Sequence, residues 1–424
     1  MKLSILAITI LSGAIAGTVA GNDSRQTPSL ATDHVSESAP APELPTRLRV
    51  GEEGWVSVGA RIQPIFIYND SDLVSDDMDF RMRRARIMVR GDVTEWAGFS
   101  FATEVSGANV TLIDSYVHFK PRSEVQVFAG RHLSPGTGRQ AGTTSAAALM
   151  AIDRPHFSFK NLSYGGRART AFGTTDLEGT DSGLRMDAQV RDEGVTFWGD
   201  HSAGEDLHFK YYLGTYDGWS RSPARDEGDL RYSGRAAINF GDDEAGFFNS
   251  SSYLGRKQTL GLGVSFDAQN RVAIDDTTGG MIDYRYWSVD VFLEHPVGPG
   301  SVNVEAAYGQ LDLGKGEGKL RARNATPDDT LGVSARQAQG DGYYLQGGYY
   351  FPDLKLQPWI LYEEWDSDAP GGVGSYNNFR IGATYFARGQ NLNFKVGYEH
   401  TRLDWDVNGD RTSNSVVTGV YLNF

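Results

Sequence analysis

The sequence predicts an all-β fold: a transmembrane antiparallel β-barrel of about 16 strands, with a long third loop that folds inward. Three observations lead there. From about Gly54 to Phe424, apolar and polar residues alternate in short segments, as strands with one apolar and one polar face do. The polar faces carry Arg, Asp, Glu and Gly, while the apolar faces end in Tyr, Trp or Phe, as at a membrane interface. Past Ala20 no apolar run nears the ~18 residues a membrane helix needs; the nearest is Ala146–Ile152. Composition agrees. There are 51 glycines among 424 residues and 12% aromatics against 40% hydrophobic residues, which suits strands and turns.

The N-terminus reads as an export signal over residues 1–20. Met1-Lys2 is a short positive start, Leu3–Ile15 is apolar, and Thr18-Val19-Ala20 offers small residues for cleavage after Ala20. Residues 21–50 form a flexible linker, because Gly21–Pro45 is rich in Ser, Thr, Pro and Ala and lacks apolar periodicity. Residues 51–424 form the barrel.

The strands are expected at 55–68, 80–93, 96–105, 110–119, 124–132, 183–191, 208–216, 231–240, 259–266, 284–294, 301–310, 343–351, 356–365, 379–387, 391–400 and 415–424. In 184–190, Leu184, Met186, Ala188 and Val190 oppose Arg185, Asp187 and Gln189. In 259–266, Leu260, Leu262, Val264 and Phe266 oppose Thr259, Gly261, Gly263 and Ser265. The connections after the second, fourth, tenth, twelfth and fourteenth strands are tight. Those after the fifth, seventh, ninth, eleventh, thirteenth and fifteenth are long and carry Asp, Gly and Ser. This is the pattern of short periplasmic turns and long extracellular loops. Two places break it: a short loop joins the third and fourth strands, and Gly241–Gln258 is long for a periplasmic turn. The last strand, Ser415–Phe424, ends in an aromatic with Leu422, Val420, Thr418 and Val416 behind it at spacing two. It resembles the terminal signal that barrel-insertion machinery reads, with Phe424 as the recognised residue.

Several function classes drop out. The chain has no Cys, which excludes disulfides, Cys-ligated metals and thiol catalysis. Its eight histidines show no H-E-x-x-H or H-x-H spacing, and neither G-x-S-x-G nor a P-loop occurs. No catalytic residue, cofactor or metal is called for. The formal charge of −14 gives no support to nucleic-acid binding. Asp404–Asp410 matches the D-x-D-x-N-G start of a calcium loop, but the twelfth position is Ser415 rather than Glu and the flanks read as strands. An acidic hairpin loop turning at Asn408-Gly409 is the better reading.

Candidate functional residues gather in the lumen. If Ala85, Ile87 and Val89 face lipid, then Arg84, Arg86 and Arg90 face inward, since Arg against lipid at mid-membrane costs ~2–4 kcal/mol. The third long connection, about Leu133–Ser182, adds Arg139, Arg154, Arg167 and Arg169 among small residues. Of the 40 basic residues 31 are Arg, the side chain suited to bidentate oxyanion contact. The inward faces also hold Glu104, Asp114, Asp187, Asp290, Glu305 and Glu399, beside Arg61, Lys210, Arg380 and Lys395. Two roles for Arg84, Arg86 and Arg90 therefore stand together: a ladder guiding anions, or braces pairing with Glu104 and Asp114.

The chain resembles the phosphate-selective porin O and P family. Phe80–Gly91, with Arg83-Arg84-Ala85-Arg86, resembles the family's R-R-A-R…G strand, and Ile113–Phe119 its D-A-Y-[IV] strand. Val125–Pro135 resembles V-x-V-G-Q-F-K-x-P, and Asp153-Arg154 the E-R that closes the third loop. Where the family carries Gln-Phe-Lys, this chain has Arg131-His132-Leu133. Porins of selenite or tellurite reduction operons are similar to it as well. The resemblance implies an outer-membrane, homotrimeric channel set in lipid and lipopolysaccharide. It implies passive diffusion of small hydrophilic solutes, with a preference for anions such as phosphate or other oxyanions. The alternative is a barrel that serves as a sleeve or anchor for a partner such as a periplasmic electron carrier.

Overall fold

The computed structural model describes residues 47–424 apart from 72–76, 107–108, 137, 141, 145, 148–190, 219–228, 276, 315–319, 323–338, 369–372 and 406–410. The expected export signal and most of the linker lie outside these residues. Among the described residues, eighteen antiparallel strands form one sheet. Two are three-residue pieces, β1 (Leu48–Val50) and β13 (Leu320–Ala322). The other sixteen are long. The first half of the wall holds β2 (Gly54–Ser71), β3 (Asp77–Asp92), β4 (Ala97–Ser106), β5 (Asn109–Arg122), β6 (Val125–Leu133), β7 (Arg191–Ser202), β8 (Leu207–Tyr216) and β9 (Arg231–Gly241). The second half holds β10 (Thr259–Asp275), β11 (Met281–Val297), β12 (Gly300–Asp312), β14 (Gly340–Tyr350), β15 (Leu356–Ser367), β16 (Val373–Gln390), β17 (Leu392–Trp405) and β18 (Arg411–Asn423). Neighbours in sequence pair in order, and β18 pairs with β2, which closes a 16-stranded barrel.

The period-two pattern sets the two faces. On β11, Tyr284, Tyr286, Ser288, Asp290 and Phe292 are buried inside, while Trp287 and Val289 are exposed outside. β3 achieves the same with a change of phase. A bulge opposite Gln63-Pro64 leaves Arg83 as an extra residue. Before it, Met78, Phe80 and Met82 are exposed; after it, Ile87 is exposed and Arg84 is buried. An extra residue shifts which face each later side chain takes. The bulge thus keeps the apolar residues outside on both sides of it and turns Arg84, Arg86 and Arg90 inward.

Fifteen of the expected strands fall where the alternation placed them, most of them longer than expected. The sixth is a correction: it was expected at 183–191 and runs over Arg191–Ser202. The regular alternation at 184–190 lies outside the described residues. The real strand was missed because it opens on Arg191, Asp192, Glu193 and Gly194, which carry no apolar face of their own. The connections expected to be long between β10 and β11, β15 and β16, and β17 and β18 shrink, because the strands continue beyond the apolar band. Ser415, the twelfth position of the apparent calcium loop, lies within β18 and donates to Asn69 at 2.6 Å. No described helix is long and apolar enough to cross a membrane.

Candidate functional site

The inward face carries two unlike sets of charges. In the first set, β2 pairs with β3 so that Arg61 lies opposite Arg86, Gln63 opposite Arg84 and Ser57 opposite Arg90. Their side chains share the inward face, where alternate residues stand about 7 Å apart along the strand. Arg84 is buried and donates to Gln63 at 2.9 Å. Arg86 is bound to Glu104 of β4 and keeps 15% of its side chain exposed. Arg61 donates to Asn423 at 2.7 Å and to Thr144 at 3.3 Å. Arg90, nearer the end of β3, is exposed. Asp114 of β5 pairs with Arg191 at 2.7 Å.

Elsewhere round the barrel, on β7 to β11 and again on β15 to β17, the charges are buried and matched. Arg231 of β9 binds Asp267 of β10 and lies 3.2 Å from Asp192 of β7. Arg235 holds Asp290 of β11 through two nitrogens, one at 2.8 Å. Arg380 of β16 sits between Glu363 at 2.7 Å and Glu399 at 2.8 Å, all three fully buried. Removing one member of such a group costs about 3–5 kcal/mol, because a charge is left buried without its partner. These groups brace the barrel, with their charges turned to one another.

The described residues from 134 to 147 run past β9, β10, β11 and β12 and meet Arg61 of β2 at Thr144. Ser134 accepts from Arg231 at 2.8 Å. Gly136 passes so close to β9 and β10 that a Cβ there would stand 2.6 Å from the Ser233 Cβ, which only glycine permits. Gly138 lies over Ser288 and Asp290 with φ at +95°, again a glycine conformation. Arg139 then enters a pocket of opposite charge. It binds Glu244, donates to Glu305 at 2.9 Å and to the Ser250 carbonyl at 2.7 Å, and stacks over Phe292 at 3.7 Å. Gln140 donates to Ser251 at 2.8 Å and to Glu305 at 2.7 Å. Burial alone would raise the Glu244 carboxyl; Arg139, together with Lys210 and the Tyr253 hydroxyl, outweighs it and holds the group down at about 2.

The candidate arginines therefore divide. Arg86 and Arg90 line the lumen beside Arg61. Arg84 is buried against Gln63. Arg139 was expected to contact solutes, and its position corrects that: only 2% of it is exposed, and two carboxylates enclose it. Arg154, Arg167 and Arg169 lie outside the described residues. His132, in the segment that departs from the family pattern, is a structural residue, bonded to Thr196 at 2.6 Å and to the Gly130 carbonyl at 2.9 Å. Glu244, Phe247 and Tyr253 were missed by the sequence reading. The one signal that pointed to them was the unusual length of the connection between β9 and β10. A sleeve for a partner protein needs an empty lumen, and the 134–147 and 242–258 segments occupy this one.

A closed 16-stranded barrel with a charged, partly filled interior defines an outer-membrane porin. The model of the phosphate-selective porin O and P family matches residues 56–424, and the chain belongs to that family. No curated protein matches the sequence. Among solved structures, the chain is similar in fold to the anion-selective porin from Comamonas acidovorans, with a TM-score of 0.54 at 13% identity over 88% of this chain and 100% of that one. It is also similar to OmpF of Salmonella typhi in complex with daunomycin, with a TM-score of 0.53 at 14% identity over 89% and 100% of the two chains. A third is the outer-membrane channel DcaP of Acinetobacter baumannii, with a TM-score of 0.52 at 13% identity over 89% and 99%. Family and fold are those of a channel rather than an enzyme, and its place is the outer membrane.

Proposed function

We propose that this porin passes small hydrophilic solutes by passive diffusion and prefers anions, phosphate and other oxyanions among them. The observation that supports this is the arginine wall on β2 and β3. Arg61, Arg86 and Arg90 face the lumen there, and the Arg86–Glu104 pair keeps 15% and 22% of its side chains exposed, whereas the Arg231–Asp267, Arg235–Asp290 and Arg380–Glu363 pairs are buried. Guanidinium groups at the edge of a low-dielectric wall attract anions and offer them bidentate hydrogen bonds. Arg154, Arg167 and Arg169 of the third loop extend this contact set. Arg84 and Arg139 support it from behind, as braces.

The working form is a homotrimer in lipid and lipopolysaccharide, delivered by the insertion machinery through Phe424, as the family resemblance implies. The test is electrical. Purified protein in a planar bilayer under a KCl gradient gives stepwise openings and a reversal potential on the chloride side of zero. A potential on the potassium side would contradict the anion preference, and an absence of steps would contradict the channel itself.

A further inference from the structure

The connection between β9 and β10, residues 242–258, begins at the end of the barrel that carries the short turns, yet its contacts lie in the lumen. Gly246 N–H donates to Asp200 of β7 at 3.2 Å. Lys210 of β8 donates to the Glu244 carbonyl at 2.6 Å and to the Asn249 side chain at 3.0 Å. Tyr212 of β8 donates to the Phe247 carbonyl at 2.8 Å. Phe247 packs against Phe128 of β6, Trp198 of β7 and Tyr212 with ring centroids 4.7, 5.4 and 5.2 Å away. Further along, Tyr253 and Gly255 N–H groups donate to Glu294 of β11 at 2.7 and 2.9 Å. Ser252 accepts from Gln357 of β15 and from Gln390 at the end of β16, both at 3.3 Å.

A single connection that touches β6, β7, β8, β11, β15 and β16 reaches from one side of the barrel to the other. It is also tied to the segment that enters from the opposite end. Thr143 and Asn249 form a parallel bridge: Thr144 N–H donates to the Asn249 carbonyl, and Asn249 N–H to that of Gly142, both at 3.0 Å. The Arg139–Glu244 pair locks the two together beside it. These segments reach β2 at Thr144, which accepts from Arg61 at 3.3 Å, and beside that contact Arg86 and Arg90 of β3 face the lumen.

We infer that residues 242–258 are the restriction of this channel: a fixed periplasmic-side insert, locked by Arg139 and Glu244, that narrows the route and presses solutes against the β2–β3 arginines. This rests on the channel reading. The insert sets the size limit, and the arginine wall sets the charge preference.

The test replaces 244–256 by a short glycine-containing turn and compares single-channel steps in a bilayer, with polyethylene glycols of graded size as pore probes. The step grows severalfold and larger polymers enter. An unchanged step and exclusion limit, with the wild type conducting, overturns the inference alone; a wild type without current overturns the channel reading and the inference with it. Should the shortened chain fail to assemble, Thr143→Cys with Asn249→Cys decides, since the chain has no other cysteine. Bridged partners sit within disulfide reach. The bond forms in membrane-inserted protein, and its reduction leaves the wild-type step unchanged. Failure to form the bond, or a step that changes on reduction, overturns the fixed insert.

Discussion

Arg139 and Arg90 carry the same guanidinium in opposite circumstances. Arg139 is buried between Glu244 and Glu305; Arg90 is exposed on the inward face of β3. Residue type and side of strand put both among anion contacts; partners do not show in a sequence. Arg139 and Glu244 are 105 residues apart in two irregular segments, so no periodicity links them. The Arg86–Glu104 pair was legible, because both residues lie on strands whose alternation puts them on one face. At this scale, Arg380→Ala leaves Glu363 and Glu399 facing each other without their cation. It lowers barrel stability by about 3–5 kcal/mol, read as earlier heat unfolding in a detergent gel-shift series. A further prediction concerns pH. Glu244 titrates at about 2 in the fold against an ordinary 4.5, so its lock is fully present above 4.5 and is lost as pH falls from there towards 2. Arg139, Lys210 and Tyr253 face that carboxylate, and Glu305 shares Arg139. Because the folded carboxylate takes up a proton only near 2, the conductance step holds through mild acid and grows as pH approaches 2, and Glu244→Gln shows the enlarged step already at neutral pH. An acid response identical in Glu244→Gln would assign the effect to another carboxylate.

Elements that bury one face and expose the other were the readable part. The strand pattern identified all but the sixth of the sixteen long strands, and it put Arg84, Arg86 and Arg90 inside. The bulge at Arg83 was not visible, since an extra residue in one strand appears only against the register of its neighbour. The insert at 242–258 was visible only as a length out of place. Its seat depends on Phe247, packed among Phe128, Trp198 and Tyr212. Phe247→Ala removes a core aromatic, a change that costs about 3–5 kcal/mol when the site cannot collapse. That loss falls on a segment outside the strand ladder. The barrel stays heat-resistant while limited proteolysis within 242–258 rises; unchanged protease resistance would show that Phe247 does not hold the insert.

For the molecule as a whole, the net charge of −14 says little about what passes through, because among the described residues the Arg231, Arg235 and Arg380 pairs are buried while Arg90 is exposed on the inward face of β3. An electrostatic preference of that kind is screened by salt. The Debye length falls from about 10 Å at 0.1 M to about 3 Å at 1 M, so the anion-to-cation permeability ratio drops towards one across that range. A ratio independent of salt would point to selection by geometry instead. The most direct test of the arginine wall is the reversal potential of Arg90→Glu beside the wild type in one KCl gradient. Arg90 is exposed, so its inversion changes lumen charge with little effect on the barrel. The potential moves towards potassium; a value equal to that of the wild type would contradict the route along β2 and β3.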